Sequence, residues 1–252
     1  MDKNYFWITI IVLMFIAVPV CAETIGLWHF DEGQGVKAYD SSVDFAATPG
    51  IEFHDSAGFC NDGTLGDGTG DGEPNWVAGG YDGSGYALDF DASVRDGRGA
   101  YVTIKSKISH YPADEIVIEA WIKPRSANNY ARIVDKNSYI LTTRGDSVAD
   151  HKLWFRVMTE NGNHTLISNS IVPLNSWTHV KAVYDGRLQA IYINGEQDAR
   201  QSASGKIQPQ PNPRPLTIGN GRNNIDRGFD GLIDEVRIDG AGFSMPQPAE
   251  KK

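Results

Sequence analysis

Apolar side chains recur at every second position in short runs along this chain, and each run is bounded by Gly, Asn, Asp or Pro. Such alternation buries one face of an extended segment and leaves the other to solvent, so it predicts β-strands. The runs cover residues 25–30, 86–90, 100–104, 116–122, 152–158, 178–184, 188–193, 216–218 and 231–238, and helical periodicity is nearly absent. Ile116, Ile118, Ala120 and Ile122 share one face of their segment and Val117, Glu119 and Trp121 the other. Leu153, Phe155 and Val157 likewise oppose Lys152, Trp154, Arg156 and Met158, while Val180, Ala182 and Tyr184 oppose Trp177, His179 and Lys181. The aliphatic sets are the expected core. Asp185-Gly186 and Asn194-Gly195 tolerate the positive φ angles of a tight type I′ turn, so the strands around them are expected to form an antiparallel meander. The Gly/Asp-rich stretch 60–75 and the Pro-rich stretch 208–215 are expected to be loops, the second crossing between sheets in extended form.

Composition agrees with this pattern. The 252 residues include 27 Gly, 12 Pro and 10% aromatics, a turn-rich mixture, and 40% hydrophobic content supports a packed core. The expected fold class is therefore all-β, a two-sheet antiparallel β-sandwich in a single domain. Lys and Arg number 23 against 32 Asp and Glu, a formal charge of −9, and no basic stripe accompanies it, which excludes nucleic acid as the expected partner. Residues 5–20 are apolar except Thr9, follow Lys3 and end in Val20-Cys21-Ala22, the form of a secretory signal peptide over 1–22. The run is short for a membrane span, so no stable membrane insertion is expected after cleavage; an uncleaved anchor is the alternative. Cleavage after Ala22 would leave Cys60 as the remaining thiol, so no intramolecular disulfide is expected.

Several blocks in order carry a resemblance. They are Gly26-Leu27-Trp28-His29-Phe30-Asp31-Glu32-Gly33, Asp40-Ser41-Ser42, Asn61-Asp62-Gly63-Thr64-Leu65, Ala87-Leu88-Asp89-Phe90, Ile118-Glu119-Ala120-Trp121-Ile122-Lys123-Pro124, Trp177-Thr178-His179-Val180, Ile191-Tyr192-Ile193-Asn194-Gly195 and Gly231-Leu232-Ile233-Asp234-Glu235-Val236-Arg237-Ile238. Together they resemble the laminin-G-like jelly-roll domains of the concanavalin A-like lectin/glucanase superfamily. The resemblance implies a concanavalin A-like jelly roll over 23–243, followed by a flexible tail over 244–252. It also implies a concave face often used for glycans and, in some members, a structural calcium ion.

The faces opposite the core mix aromatics with charges, as a sugar platform requires, because the apolar side of a sugar ring packs on an aromatic while its hydroxyls need donors and acceptors. Glu119, Trp154, Arg156, His179 and Lys181 are the expected ligand-binding residues, with Trp121 and Trp177 expected under loops. Asp234 alternates with Leu232, Val236 and Ile238 and so is expected on the core side. A carboxylate there needs hydrogen bonds or a cation, and its oxygens suit calcium. The resemblance names Asp31 and Asp40 as its expected partners in that site. Asp67, Thr69, Asp71 and Gly72 match the start of an EF-hand-like loop, but Ala78 stands where its bidentate Glu belongs, so a polar loop is the better expectation. No His-Glu-x-x-His, Gly-x-Ser-x-Gly or phosphate-binding Gly-rich motif occurs, and the strand 116–122 lacks the alternating acids of related hydrolases. The expected function is that of a secreted, non-catalytic, lectin-like module for an extracellular or cell-surface glycan. The alternatives are an adhesion module that binds extracellular protein through edge loops and a polysaccharide-cleaving enzyme.

Overall fold

A computed structural model describes residues 23–42, 61–92, 99–106, 110–145, 147–210, 214–221 and 227–241. The expected leader over 1–22, Cys60 and the tail over 244–252 lie outside the described residues. Two eight-stranded antiparallel sheets carry nearly all of the regular structure. In chain order the strands are β1 (Glu23–Trp28), β2 (Lys37–Ala38), β3 (Gly63–Leu65), β4 (Asn75–Ala78), β5 (Tyr86–Phe90), β6 (Val102–Ile104), β7 (Glu115–Pro124), β8 (Arg132–Asp135), β9 (Tyr139–Arg144), β10 (Lys152–Thr159), β11 (Gly162–Ile171), β12 (Thr178–Tyr184), β13 (Leu188–Ile193), β14 (Glu196–Ser202), β15 (Leu216–Ile218) and β16 (Gly231–Ala241). The first sheet runs β14-β13-β12-β7-β16-β5-β4, with β1 also paired to β16; the second runs β11-β10-β9-β8-β15-β6-β3-β2.

The core between the sheets is the one the alternation predicts. Ile116, Ile118, Ala120 and Ile122 of β7 and Val180, Ala182 and Tyr184 of β12 supply the first sheet's inner face, and Leu153, Phe155 and Val157 of β10 the second's. Burying such side chains is worth roughly 1.5–3 kcal/mol each, so these long central strands anchor the sandwich. β1 closes its edge differently. Trp28 is fully buried and donates its Nε1–H to the Asn61 carbonyl at 3.0 Å, while Asn61 donates its side-chain amide to the Ile25 carbonyl.

The loop 60–75 holds a strand that the sequence pattern did not reveal. β3 pairs with β2 and β6 inside it, and a turn over 66–72 leads on to β4. Asp67 Oδ1 accepts the Thr69 N–H at 2.7 Å and the Thr69 hydroxyl at 2.8 Å, so the EF-hand-like stretch closes on itself. The hairpins also differ from each other. Asn194 and Gly195 have φ of 51° and 84°, the pair of positive values that a type I′ turn needs. At Asp185-Gly186 only Gly186 has positive φ, and Asp185 Oδ1 accepts both the Arg187 and Leu188 N–H groups. The expected type I′ turn is therefore replaced by a three-residue loop closed by the aspartate side chain.

Candidate functional site

The five expected ligand residues fall on opposite outer faces of the sandwich. Alternation tells which residues point away from the core, but not which sheet a strand joins; Glu119, His179 and Lys181 stand on the first sheet and Trp154 and Arg156 on the second. Two sheets stacked about 10 Å apart separate the groups, so they make two surfaces and not one.

On the first sheet, Lys181 pairs across the strands with Glu119, and His179 with Trp121. Lys181 Nζ lies 2.5 Å from Glu119 Oε1 and His179 Nε2 lies 3.6 Å from Oε2. The His179 and Lys181 side chains hold the Glu119 carboxyl down to about 2, against its partial burial. Tyr81, from the turn between β4 and β5, stacks on Trp121 with centroids 4.5 Å apart and planes at 20°; His179 tilts against the same indole at 5.2 Å. Trp121 is thus covered by a turn, as expected, and the charged groups around it satisfy one another.

Of the three expected calcium ligands, Asp40 does not join the other two. Asp40 is a clamp for the backbone: its Oδ1 accepts the Leu27 and Ser42 N–H groups at 2.9 Å each, and its Oδ2 accepts the Asn61 N–H at 2.9 Å. Asp234 is buried, but on the outer side of the first sheet and not on the core side. A bulge between Asp234 and Arg237, with Glu235 at φ 50°, shifts the alternation of β16 by one residue. Ile233 is consequently core before the bulge and Val236 and Ile238 after it, while Asp234 sits opposite Trp121 beneath the Tyr81 turn. Its Oδ2 accepts the Tyr81 N–H at 2.9 Å and its Oδ1 the Glu235 N–H at 2.8 Å. Burial outweighs these bonds and, with the nearby charges of Glu235 and Asp31, pushes the Asp234 carboxyl up to about 6. Asp31 holds the other end of the same turn, accepting the Tyr86 N–H at 3.0 Å. Among the described residues, no three His, Cys, Asp or Glu side chains form a metal-binding group. On the side of Gly80 that lacks a Cβ, the Asp234 Oδ2 and the Ser84 and Tyr86 carbonyl oxygens converge, at 2.6, 2.9 and 2.9 Å from where that Cβ would stand.

The second sheet's outer face is built differently. Residues in register across it run Lys37, Thr64, Thr103, Thr217, Asp135, Ile140 and Arg156, one from each of β2, β3, β6, β15, β8, β9 and β10. Their chain neighbours Leu65, Val102, Ile104, Leu216, Ile218, Leu141 and Phe155 are core, so this row points outward. At the β2-β3-β6 end lies a groove of about 870 Å³, lined by Lys37, Tyr39, Thr64, Tyr101, Thr103 and Lys105 among others. Lys37 Nζ donates to Thr64 Oγ1 at 2.9 Å, which fixes the ammonium on the groove floor. Towards the other end Trp154 meets Tyr130 edge-on at 5.7 Å, and Arg156 lies 5.7 Å over the Trp154 ring. Aromatic rings, hydroxyls and a fixed ammonium group in a shallow groove can hold a chain of polar, ring-shaped units. Trp154 and Arg156 were expected on this face from the sequence; the groove residues were not. Their signal was a Thr between apolar neighbours in Gly63-Thr64-Leu65 and Val102-Thr103-Ile104, runs too short to stand out.

With this geometry in view, comparison with known proteins is informative. The family model described as the concanavalin A-like lectin/glucanases superfamily matches residues 96–243. Pappalysin-1 of Mus musculus is 25% identical over 119 residues, 41% of this chain but only 7% of that protein, so the chain spans a small part of that relative's length. Domain 4 of AbnA, a GH43 extracellular arabinanase from Geobacillus stearothermophilus, solved in complex with arabinotriose, superposes with a TM-score of 0.59 at 17% identity, covering 88% of this chain and 95% of that one. The binding domain of Paraclostridial Mosquitocidal Protein 1 superposes at 0.58 with 14% identity, covering 88% of this chain and half of that one. At these identities the likeness concerns the fold.

Proposed function

This chain belongs to the concanavalin A-like lectin/glucanase superfamily, and on that premise we propose that it is a secreted, non-catalytic module that recognises a glycan in the groove of the second sheet. The observation that carries the reading is the groove itself, with Tyr39 and Tyr101 beside the hydroxyls of Thr64 and Thr103 and the ammonium of Lys37. Rings offer the apolar sides of sugars a platform, and the hydroxyl and ammonium groups offer partners for sugar hydroxyls. The arabinotriose held by the arabinanase domain of like fold supports a saccharide ligand as a class. Support for the non-catalytic part is chemical. Glu119, held well below ordinary acidity, and Asp234, pushed above it, are both engaged, the first by Lys181 and His179 and the second by two backbone amides. Export rests on the apolar run of 5–20 and its small-residue end.

Affinity electrophoresis of the whole secreted chain against soluble polysaccharides, arabinan among them, tests the groove. Retention of the wild type is expected, weakened about fivefold by Tyr39→Ala, since one aromatic contact is worth on the order of 1 kcal/mol. No retention on any polysaccharide, or retention unchanged in both Tyr39→Ala and Tyr101→Ala, rejects the reading.

Calcium is proposed for the Asp31 and Asp234 pair with the Ser84 and Tyr86 carbonyls, without Asp40. Hard oxygens of Asp234, Ser84 and Tyr86 around one point suit that ion, Asp31 Oδ1 lies against the nearby Gly85, and the ion's charge would offset the repulsion between the two acids. Chelator is expected to lower the melting temperature of the wild type but not of Asp31→Asn. Equal melting with and without chelator removes the ion from the account.

A further inference from the structure

The outer face of the second sheet carries a cluster of guanidinium groups that the groove does not need. Tyr130, at φ 59° just before β8, is flanked by Arg227 at 5.5 Å and Arg144 at 6.0 Å from its ring centre, and it meets Trp154 edge-on. Arg156 covers the other ring of that pair. Arg132 lies beneath them, in register with Thr142, which is itself in register with Trp154, and its side chain is 4% exposed. Its Nε approaches Asp135 Oδ2 at 3.0 Å, yet neither Nε nor Nη1 has an aligned acceptor, and both are buried. Arg156 donates through Nη2 to the Asn137 carbonyl at 3.3 Å, while its own buried Nε has no partner.

Buried guanidinium hydrogens without acceptors are costly, and like charges at this range repel, so the cluster is incomplete as it stands. Arg132 and Arg156 both feel the opposing charge of Asp135, and both feel the like charge of Arg227. A chain with a formal charge of −9 has thus gathered arginines at one place. Guanidinium forks match carboxylate and sulfate oxygens two at a time, and the flat rings between them would pack against a sugar.

We infer that Arg132, Arg156 and Arg227, with Tyr130 and Trp154, form a subsite for the carboxylate or sulfate of an acidic glycan. The inference rests on the glycan reading above and deepens it. Along the outward row, Thr103 in the groove and Arg156 are four strand spacings apart, about 19 Å, with Thr217, Asp135 and Ile140 between them, of which Thr217 and Ile140 are buried under their neighbours. An oligosaccharide of several units lying across the strands would enter the groove at one end and present an acidic group to the arginines at the other.

The test uses the full secreted chain in affinity electrophoresis against polygalacturonate, which carries carboxylate alone, dextran sulfate, which carries sulfate alone, and neutral arabinan. The wild type is expected to be retained at least tenfold more strongly on one or both acidic polymers than on arabinan, and the preference to weaken as salt rises. Which acidic polymer is favoured separates carboxylate from sulfate. Arg132→Gln alters a buried residue and can unfold the chain, so Arg156→Gln and Arg227→Gln, checked by circular dichroism, carry the decision; each is expected to cut the acidic preference at least fivefold. Retention on arabinan without acidic preference overturns the subsite and leaves the groove standing. Acidic retention that neither arginine variant alters also overturns it, and retention on none of the three removes both.

Discussion

Lys136 shows how one residue can set the response of the whole fold to pH. Its side chain is buried at the end of β8, where Nζ donates to the Ser106 hydroxyl, the Tyr111 hydroxyl and the Arg214 carbonyl, and lies 4.2 Å from the centre of the Tyr111 ring. Burial pushes its ammonium down to about 7. Above the ordinary lysine range the group is neutral in both states and costs nothing. As pH falls from about 10 towards 7 the unfolded chain binds the proton and the folded one does not, so stability is lost across that window and levels off below it. Urea unfolding of the wild type is therefore expected to show a few kcal/mol more stability at pH 9.5 than at pH 7 from this group, and Lys136→Met is expected to lose that slope. An identical slope in the variant would contradict the assignment. The amino-acid pattern alone did not point to Lys136, because nothing local to it announces that residues 106, 111 and 214 will close around it.

At the scale of elements, the strands with long apolar alternation were legible. The expected spans 86–90, 178–184, 188–193 and 216–218 match β5, β12, β13 and β15 end for end. The short and polar strands were not, nor were β8 and β9 inside the second sheet. β11 exposes residues on both sides, and β2 and β3 are too short for a period to form. Two further misreadings have one cause each. β16 keeps a perfect alternation in sequence through Leu232, Asp234, Val236 and Ile238, but the bulge at Glu235 reverses its first half, and a bulge leaves no period to read. The expected ligand face split because face and sheet are separate facts, and the second comes from strand order. Hairpin chemistry is testable at this scale. Asn194 combines positive φ with an Oδ1 that accepts the His179 N–H at 3.0 Å. Asn194→Ala should cost about 1–2 kcal/mol in urea unfolding, since Ala tolerates positive φ poorly and leaves that N–H without its acceptor. A loss below about 0.3 kcal/mol would show that β13 and β14 hold their register without the turn.

For the whole molecule, the sandwich separates two kinds of outer surface. The first sheet's face is closed by its own pairs, with Glu119 held by Lys181 and Trp121 roofed by Tyr81. The second sheet's face offers a groove and, further along, arginines with unanswered hydrogens. The account therefore places recognition on one side of the double layer. Backbone amide shifts of the ¹⁵N-labelled chain, titrated with an oligosaccharide cut from whichever polysaccharide retains it, would test that claim most directly. The account predicts shifts at Lys37, Thr64, Thr103 and Thr217, extending to Arg156 for an acidic ligand, with Glu119, His179 and Lys181 unmoved; shifts centred on those last three would contradict it.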